Sequence, residues 1–434
     1  MFLKFQNHIS TQFPFLQKAK MLIAVSGGLD SMVLLDLISK TNIEFAVAHC
    51  NFQLRGDESE GDENFVKSYC NENSIQGFFQ KFDTKQFAED KKLSIQVAAR
   101  KLRYEWFYEL LANKNLDFVA TAHHLDDQLE TFLIHFSRGT GLDGLTGIPS
   151  QKDKIIRPLL TFSRAEIATF ANENNLKWRE DSSNASDKYV RNKIRHQVVP
   201  ILKELNPSFL DSFENTLQNL NQAQSLVEDA SRIVYRKVVK DVDNQKKIDL
   251  NELLQLPNYQ AYLYQWLMPF GFSAWQDIYN LVEAQSGKQI FSEHFRLLKD
   301  RETLIIEPKS AKVSDEYFIQ ENQSQLNFPL KLSFCNVDDI TISDSKTIFV
   351  DAETLKFPLQ LRKWQEGDYF YPFGMTGKKK LSKFFKDEKF SLIEKENTWL
   401  LCSENQIVWL VGKRMDDRFK LTENTQTILK LELV

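Results

Sequence analysis

Residues 1–205 of this 434-residue chain predict an α/β fold built on a doubly wound parallel sheet, followed by a mainly helical middle domain and a small α+β C-terminal domain. Three observations carry the prediction. Short apolar runs alternate with longer helical patterns between residues 21 and 200. A glycine-rich hexapeptide sits where the first apolar run meets the first helix. After Pro207 the rhythm changes to apolar residues every three to four positions. Strand–helix alternation places helices on both faces of a parallel sheet, with ligands at the carboxyl ends of its strands.

In chain order, MLIAV (21–25) is a short apolar strand, followed by SGGLDS and the amphipathic helix MVLLDLISK. EFAVAHC (44–50) is the second strand, and 61–73 carries Phe65, Val66, Tyr69 and Cys70 at helical spacing. Residues 94–113 form a strong helix with Ser94 as its cap and Val97, Trp106, Leu110 and Leu111 as its apolar positions. DFVATAHH (117–124) is the next strand and DDQLETFLIHFSR the next helix. Beyond Pro207, the residues Phe209, Phe213, Leu217, Leu220, Val227 and Val234 open a long helix. The expected division is 1–205, a helical 206–310, linker and edge elements over 311–346, and 347–434 with short strands around one basic helix.

Composition narrows the function. Fifty-five basic against 59 acidic residues leave a net charge of −4, so a polybasic coat protein is excluded and any nucleic-acid surface must be a local patch. Cys50, Cys70, Cys335 and Cys402 form no CxxC pair, which argues against structural zinc, an iron–sulfur cluster or a disulfide scaffold. Lys4 interrupts the apolar start, and no run reaches the ~18 residues of a membrane span. A soluble, cytoplasmic protein with no membrane partner is the expectation. The 34 phenylalanines fit cores, base-stacking platforms or genome bias equally well.

The sharpest signal is Ser26-Gly27-Gly28-Leu29-Asp30-Ser31 between strand and helix. Two glycines allow close backbone approach, and a helix N-terminus offers unpaired N–H groups, which together make a phosphate cradle. No GK[ST] follows, so this is not a Walker A loop. Asp30 would repel a phosphate unless a cation lay between them, which points to Mg²⁺. The competing reading is a plain glycine turn.

Thr121-Ala122-His123-His124-Leu125-Asp126-Asp127-Gln128-Leu129-Glu130-Thr131 starts at a strand end on the same side of the sheet. One of the two aspartates is expected to cap the next helix, Asp127 to sit beside Mg²⁺, and His123 or His124 to lie near the phosphates. Arg100 and Arg103 share one helix face, either solvated or neutralising phosphate charge. His49 is either a strand-end site residue or a core histidine. The glycine-rich 138–147 is either a ligand-approaching connection or a turn. The basic run Lys188-Tyr189-Val190-Arg191-Asn192-Lys193-Ile194-Arg195, after Asp181-Ser182-Ser183-Asn184, suits RNA-backbone contact or a solvated helix.

SGGLDS resembles the loop of the PP-loop ATP pyrophosphatases, of the adenine nucleotide alpha hydrolase-like fold. SGGLDS, HCNFQLRGDES, ARKLRY, AHHLDDQLET, RGTGLDGLTGI, RPLL and EDSSN…YVRNKIR occur in the order seen in tRNA(Ile)-lysidine synthetases. The likeness covers about residues 20–200 and resumes at 360–414, where RKWQEGDYFYPFGMTGKKKLSKFF resembles the family's C-terminal domain.

The resemblance implies ATP-dependent ligation of free L-lysine onto C2 of the wobble cytidine in the CAU anticodon of tRNA(Ile). It passes through an adenylated tRNA and releases AMP and pyrophosphate. Under it, Ser26, Gly27, Gly28, Leu29, Asp30 and Ser31 bind ATP, and Asp30 and Asp127 hold Mg²⁺. Arg100, Arg103 and His123 serve the chemistry. Arg191, Asn192, Lys193 and Arg195 contact tRNA, as do Lys378, Lys379, Lys380 and Lys383, where Phe384, Phe385 and Phe390 interleave. The middle and C-terminal domains would hold tRNA.

Two departures stand out. Phe52 replaces the second His of the HxNHxLR pattern common in relatives, and no catalytic role is expected there. Leu29 stands where several relatives have Val. Only 25 residues precede Ser26, so no glutaminase partner is expected. A homodimer is compatible with the sequence. The alternatives are a PP-loop tRNA thiolation enzyme and a non-catalytic nucleotide-binding RNA chaperone. The isolated cysteines weigh against the first and the loop carboxylates against the second.

Overall fold

The computed structural model describes residues 1–180, 190–242, 244–309, 316–340 and 345–434. Two compact units emerge, 1–229 and 230–434.

The first unit begins with α1 (Phe2–Gln12), whose Phe5 and Ile9 face inward. A six-stranded sheet follows, made of β1 (Lys20–Ala24), β2 (Glu44–Asn51), β3 (Gly77–Lys81), β4 (Phe118–Ala120), β5 (Gln151–Lys152) and β6 (Ile155–Ile156). Its order is β3-β2-β1-β4-β6-β5, with β5 the one antiparallel strand. Side chains alternate across it, as a period of two requires. Met21, Ile23 and Val47 join the core under α2 (Leu29–Ser39), while Leu22, Ala46 and Ala48 face Phe107, Leu110 and Leu111 on the opposite side.

Further α-helices of this unit, among the described residues, are α3 (Asp57–Glu72), α4 (Thr84–Lys91), α5 (Ile95–Lys114), α6 (Leu125–Arg138), α7 (Leu142–Leu145), α8 (Arg164–Glu173), α9 (Val190–Lys193) and α10 (Val199–Leu205). The long α11 (Phe209–Val238) runs into the second unit.

Several expectations shift in detail. The α2 helix is not amphipathic: every residue from Ser31 to Ile38 is buried, because α8 covers the face that the sheet leaves open. Helix α3 starts four residues before the expected 61, at an acidic turn of Asp57, Glu58 and Glu60 that suits the positive end of a helix. Ser94 caps α5 by accepting from the Val97 N–H, and Asn115 ends it in the left-handed conformation. Val97, expected in the core, is instead half exposed. The strand expected over 117–124 pairs only over Phe118–Ala120, because the residues after it form a loop.

The second unit is richer in strands than a helical rhythm suggests. Five short antiparallel strands at Val239–Val242, Gln245–Asp249, Gln289–Phe291, Phe295–Asp300 and Thr303–Pro308 form a sheet. They pack with the helices Tyr259–Leu267 and Trp275–Leu281 around Trp266, Leu297 and Leu304. The first two read VKDV and QKKID, too polar to announce strands. The expected linker also contributes: Leu332–Val337 lies inside a four-stranded sheet with Ile428–Leu433 and Thr347–Asp351. That sheet shares a core around Leu361, Leu401 and Trp409 with a second, five-stranded sheet.

Candidate active site

Strand β1 lies between β2 and β4. The chain fills one side of β1 first and then returns to the other, so the crevice at the carboxyl ends of β1 and β4 is the topological switch point. Two segments far apart in sequence, 25–31 and 121–127, therefore meet there.

The first loop is tied by its own atoms. Gly27 sits at φ +91°, where a side chain is strained, and its carbonyl accepts the Arg179 N–H at 3.0 Å. Ser31 Oγ donates to the Gly28 carbonyl at 2.9 Å and accepts the Ser26 N–H at 3.2 Å. The Ser26 hydroxyl accepts the Gly28 N–H at 3.3 Å. Ser31 therefore shapes the loop, while Ser26, Gly28 and Leu29 join it in lining the cavity. Helix α2 begins at Leu29, so the first-turn N–H groups have no carbonyl within the helix to meet.

At the end of β4, the Thr121 hydroxyl pairs with His123 Nδ1 at 2.9 Å. His124 caps α6 in a reciprocal box: its Nδ1 accepts the Asp127 N–H at 3.4 Å, and Asp127 Oδ2 accepts the His124 N–H at 3.1 Å. With Nδ1 an acceptor, Nε2 carries the proton. It lies 3.7 Å from Asp30 Oδ2 and 3.5 Å from Asp127 Oδ2. Asp126 points away, accepting the Arg164 N–H at 2.8 Å and pairing with Lys203 at 2.7 Å, and so is structural.

Burial raises the Asp30 carboxyl above its usual range, with His124 and Arg164 opposing. Its Oδ1 is buried without a hydrogen-bond partner among the described residues. Burial would also raise Asp127, but His124 and Arg191 hold it below the usual range. Burial pushes His123 down to about 4, so it is a neutral ring near pH 7 and not a cationic phosphate ligand. A lone acceptor at Asp30 beside a helix N-terminus fits Mg²⁺, which uses one or two carboxylates and takes its other ligands from phosphates and water. Among the described residues, no cluster of three or more ligating side chains forms a complete protein cage.

The arginines divide into two kinds. Arg191 and Arg195, expected on RNA, turn inward: their Nε atoms donate to Glu130 at 2.7 and 2.6 Å, and their Nη2 atoms lie 3.2 and 3.5 Å from Asp127 Oδ1. A wider helical turn at Ile194–Val198 follows Arg191. Asn192 is half-buried, and Lys193 is exposed. Arg100 and Arg103 instead lie over aromatic rings, Tyr104 at 4.8 Å and Phe52 at 5.1 Å.

Of three further site residues, Glu130 lies within AHHLDDQLET, whereas Arg164 and Arg179 lie outside every motif. Glu130 is 1% exposed. Arg164 contacts Asp30 at 3.2 Å. Arg179 meets Asp62 at 2.6 Å across Gly61, where a Cβ would come 2.8 Å from the guanidinium. Only their partners, 117 or more residues away for the two arginines, reveal them.

Two neighbouring cavities open here. One, of about 330 Å³, is lined by the loop with His123, Asp127 and Arg164. The other, of about 960 Å³, is lined by His49, Asn51, Arg55, Arg100 and Arg138 among others. Ser26, Cys50, Phe52, Arg103 and Arg191 line both. His49 is nonetheless mostly a core residue, its Nδ1 bonded to the Val25 carbonyl at 2.9 Å. The glycine-rich connection packs on α6, Gly144 accepting from His135 at 2.9 Å, and of that stretch Arg138 reaches the second cavity. Residues 181–189, with the Asp181–Asn184 motif, Lys188 and Tyr189, lie outside the described residues.

In the second unit, Lys378, Lys380 and Lys383 are exposed, whereas Lys379 pairs with Asp387 at 2.8 Å. Phe384 and Phe385 are buried and do not offer stacking faces. Among the described residues, no helix is long and apolar enough to cross a membrane.

Comparison with known proteins agrees with this architecture. The PP-loop domain family model matches residues 1–202. The models for the TilS substrate binding domain and the TilS substrate C-terminal domain match 241–309 and 359–433. A tRNA(Ile)-lysidine synthase of Bacteroides thetaiotaomicron is 38% identical over 99% of this chain and 98% of its own length. One from Parabacteroides distasonis is 39% identical over 94% of each. One from Bacillus subtilis is 30% identical over 92% and 90%. With an ATP-binding PP-loop domain and full-length likeness at this level, the chain belongs to the tRNA(Ile)-lysidine synthase family.

Proposed function

We propose that the chain joins free L-lysine to C2 of the wobble cytidine in the CAU anticodon of tRNA(Ile), converting AUG decoding to AUA decoding. The C2 oxygen attacks the α-phosphate of ATP and pyrophosphate leaves. The lysine amine then displaces AMP. The observation that carries this reading is the pair of adjoining cavities at the switch point, one built on the phosphate loop and one beside it. A nucleotide in the first and the tRNA base and lysine in the second would meet at Ser26, Arg103 and Arg191.

The backbone from Ser26 to Ser31 cradles the phosphates, and Arg100 and Arg103 neutralise charge as pyrophosphate departs. Asp30 and Asp127 would hold Mg²⁺, which when bound would screen the triphosphate charge. Neutral His123 lies near the phosphates as a hydrogen-bonding group. Arg191 and Arg195 order the site through Glu130 and Asp127, with Arg191 at the second cavity. Asn192, Lys193, Lys378, Lys380 and Lys383 contact the RNA, whereas Lys379 is held by Asp387. The 1–205 segment is catalytic on this reading, and 206–310 and 347–434 hold tRNA.

The order of release tests the scheme. With ATP, Mg²⁺ and tRNA(Ile), pyrophosphate should appear without AMP, and AMP should follow when lysine is added. AMP release that needs no tRNA would contradict it.

A further inference from the structure

We propose that Phe52 is a positioning residue, its ring seating the Arg103 guanidinium where the two cavities meet and leaving its N–H donors open to an anion. The inference rests on the reading that phosphates occupy the first cavity.

Four observations converge. Arg103 Cζ lies 5.1 Å from the Phe52 ring centroid. The Phe52 ring is itself held: it stacks on Phe82 at 5.7 Å and 20°, and Phe82 abuts Trp106 edge-on at 6.1 Å. The backbone beneath is pinned, Thr84 Oγ1 donating to the Phe52 carbonyl at 2.9 Å and the Phe82 N–H to the Asn51 carbonyl at 2.8 Å. Both Phe52 and Arg103 line both cavities.

The contrast with the neighbouring arginines shows what a ring provides. Arg164, Arg179, Arg191 and Arg195 are each oriented by a carboxylate, which occupies N–H donors and cancels charge. The guanidinium of Arg103 has no hydrogen-bond acceptor among the described residues. An aromatic face attracts a guanidinium through its quadrupole, so it fixes the plane while leaving the charge and the five donors available. Arg100 over Tyr104 repeats the device one helical turn away. Position 52, where no catalytic role is expected, thus sets the placement of an arginine.

The test uses the full-length enzyme and two readouts, the kcat of lysidine formation and the affinity for inorganic pyrophosphate. Phe52→Leu keeps an apolar side chain and removes the quadrupole. It should lower both by about tenfold, within the range of a partly desolvated cation–π contact, with an unchanged melting temperature. Phe52→Met, a second ringless replacement, should behave alike, and Phe52→Tyr should retain both values. In an Arg103→Ala background, Phe52→Leu should cost nothing further. Full pyrophosphate affinity in folded Phe52→Leu, or an equal added loss in the Arg103→Ala background, would overturn the seat. Wild-type protein that binds pyrophosphate with this pattern but makes no lysidine would overturn the reaction and leave the seat standing.

Discussion

His124 Nε2 lies 3.7 Å from Asp30 Oδ2, so one buried imidazole joins the carboxylate of the loop after β1 to the strand end after β4. Asp127 stands 3.5 Å from the same nitrogen. The two motifs are thereby one site, with both carboxylates gathered around a single ring.

Removing Asp30 should separate chemistry from stability. Burial raises the carboxyl above its usual range, and one of its oxygens lacks a partner among the described residues. Asp30→Ala should therefore abolish AMP production while the melting temperature stays within a few degrees of wild type. A variant whose activity survives unchanged would refute the Mg²⁺ assignment.

Glu130 should matter to the fold itself. It accepts from Arg191 and Arg195, and Glu130→Ala leaves the two guanidiniums to share the single carboxylate of Asp127. A loss of about 3 kcal/mol in denaturant unfolding is expected, at the low end for a broken buried pair because both arginines are partly exposed. A loss below about 1 kcal/mol would mark these pairs as no stronger than surface ones.

The ring of His123 links the site to pH. Its folded value of about 4 lies below the ordinary 6.5, so between those limits the unfolded chain binds more protons. Stability should rise with pH across that window and fall on acidification. His8 and His49, also lowered by burial, add to the slope. His123→Asn should flatten the dependence of unfolding free energy on pH from 4 to 6.5, and an unchanged slope would show that His123 is not buried as described.

The C-terminal lysines should act through charge alone. Lys378 and Lys380 are exposed, unlike Lys379 with its Asp387 partner. Lys378→Ala with Lys380→Ala should weaken tRNA binding and reduce the salt slope of log K by about 1 to 2. The release of pyrophosphate at saturating tRNA should not change.

Much of the site was legible because its residues are local. A glycine loop between an apolar strand and a helix identifies itself within six residues, and the His–Asp segment does so at its strand end. What stayed hidden depends on distant partners. Arg191 and Arg195 read as a basic patch because Glu130, 61 and 65 residues earlier, looks like any helix glutamate. The burial of α2 depends on α8, which no local period encodes. Phe384 and Phe385 interleave with lysines in the basic stretch, yet a seven-residue helix turns both into a core with Phe370 and Leu400. The middle sheet was missed because its strands are short and its first two are polar.

The most direct measurement combines the protein with ATP, Mg²⁺, radiolabelled lysine and tRNA(Ile) bearing a CAU anticodon. Label should enter the RNA, with one AMP released for each lysine incorporated. Unlabelled RNA with sulfur incorporation in a parallel assay, or ATP binding without AMP release, would contradict the account.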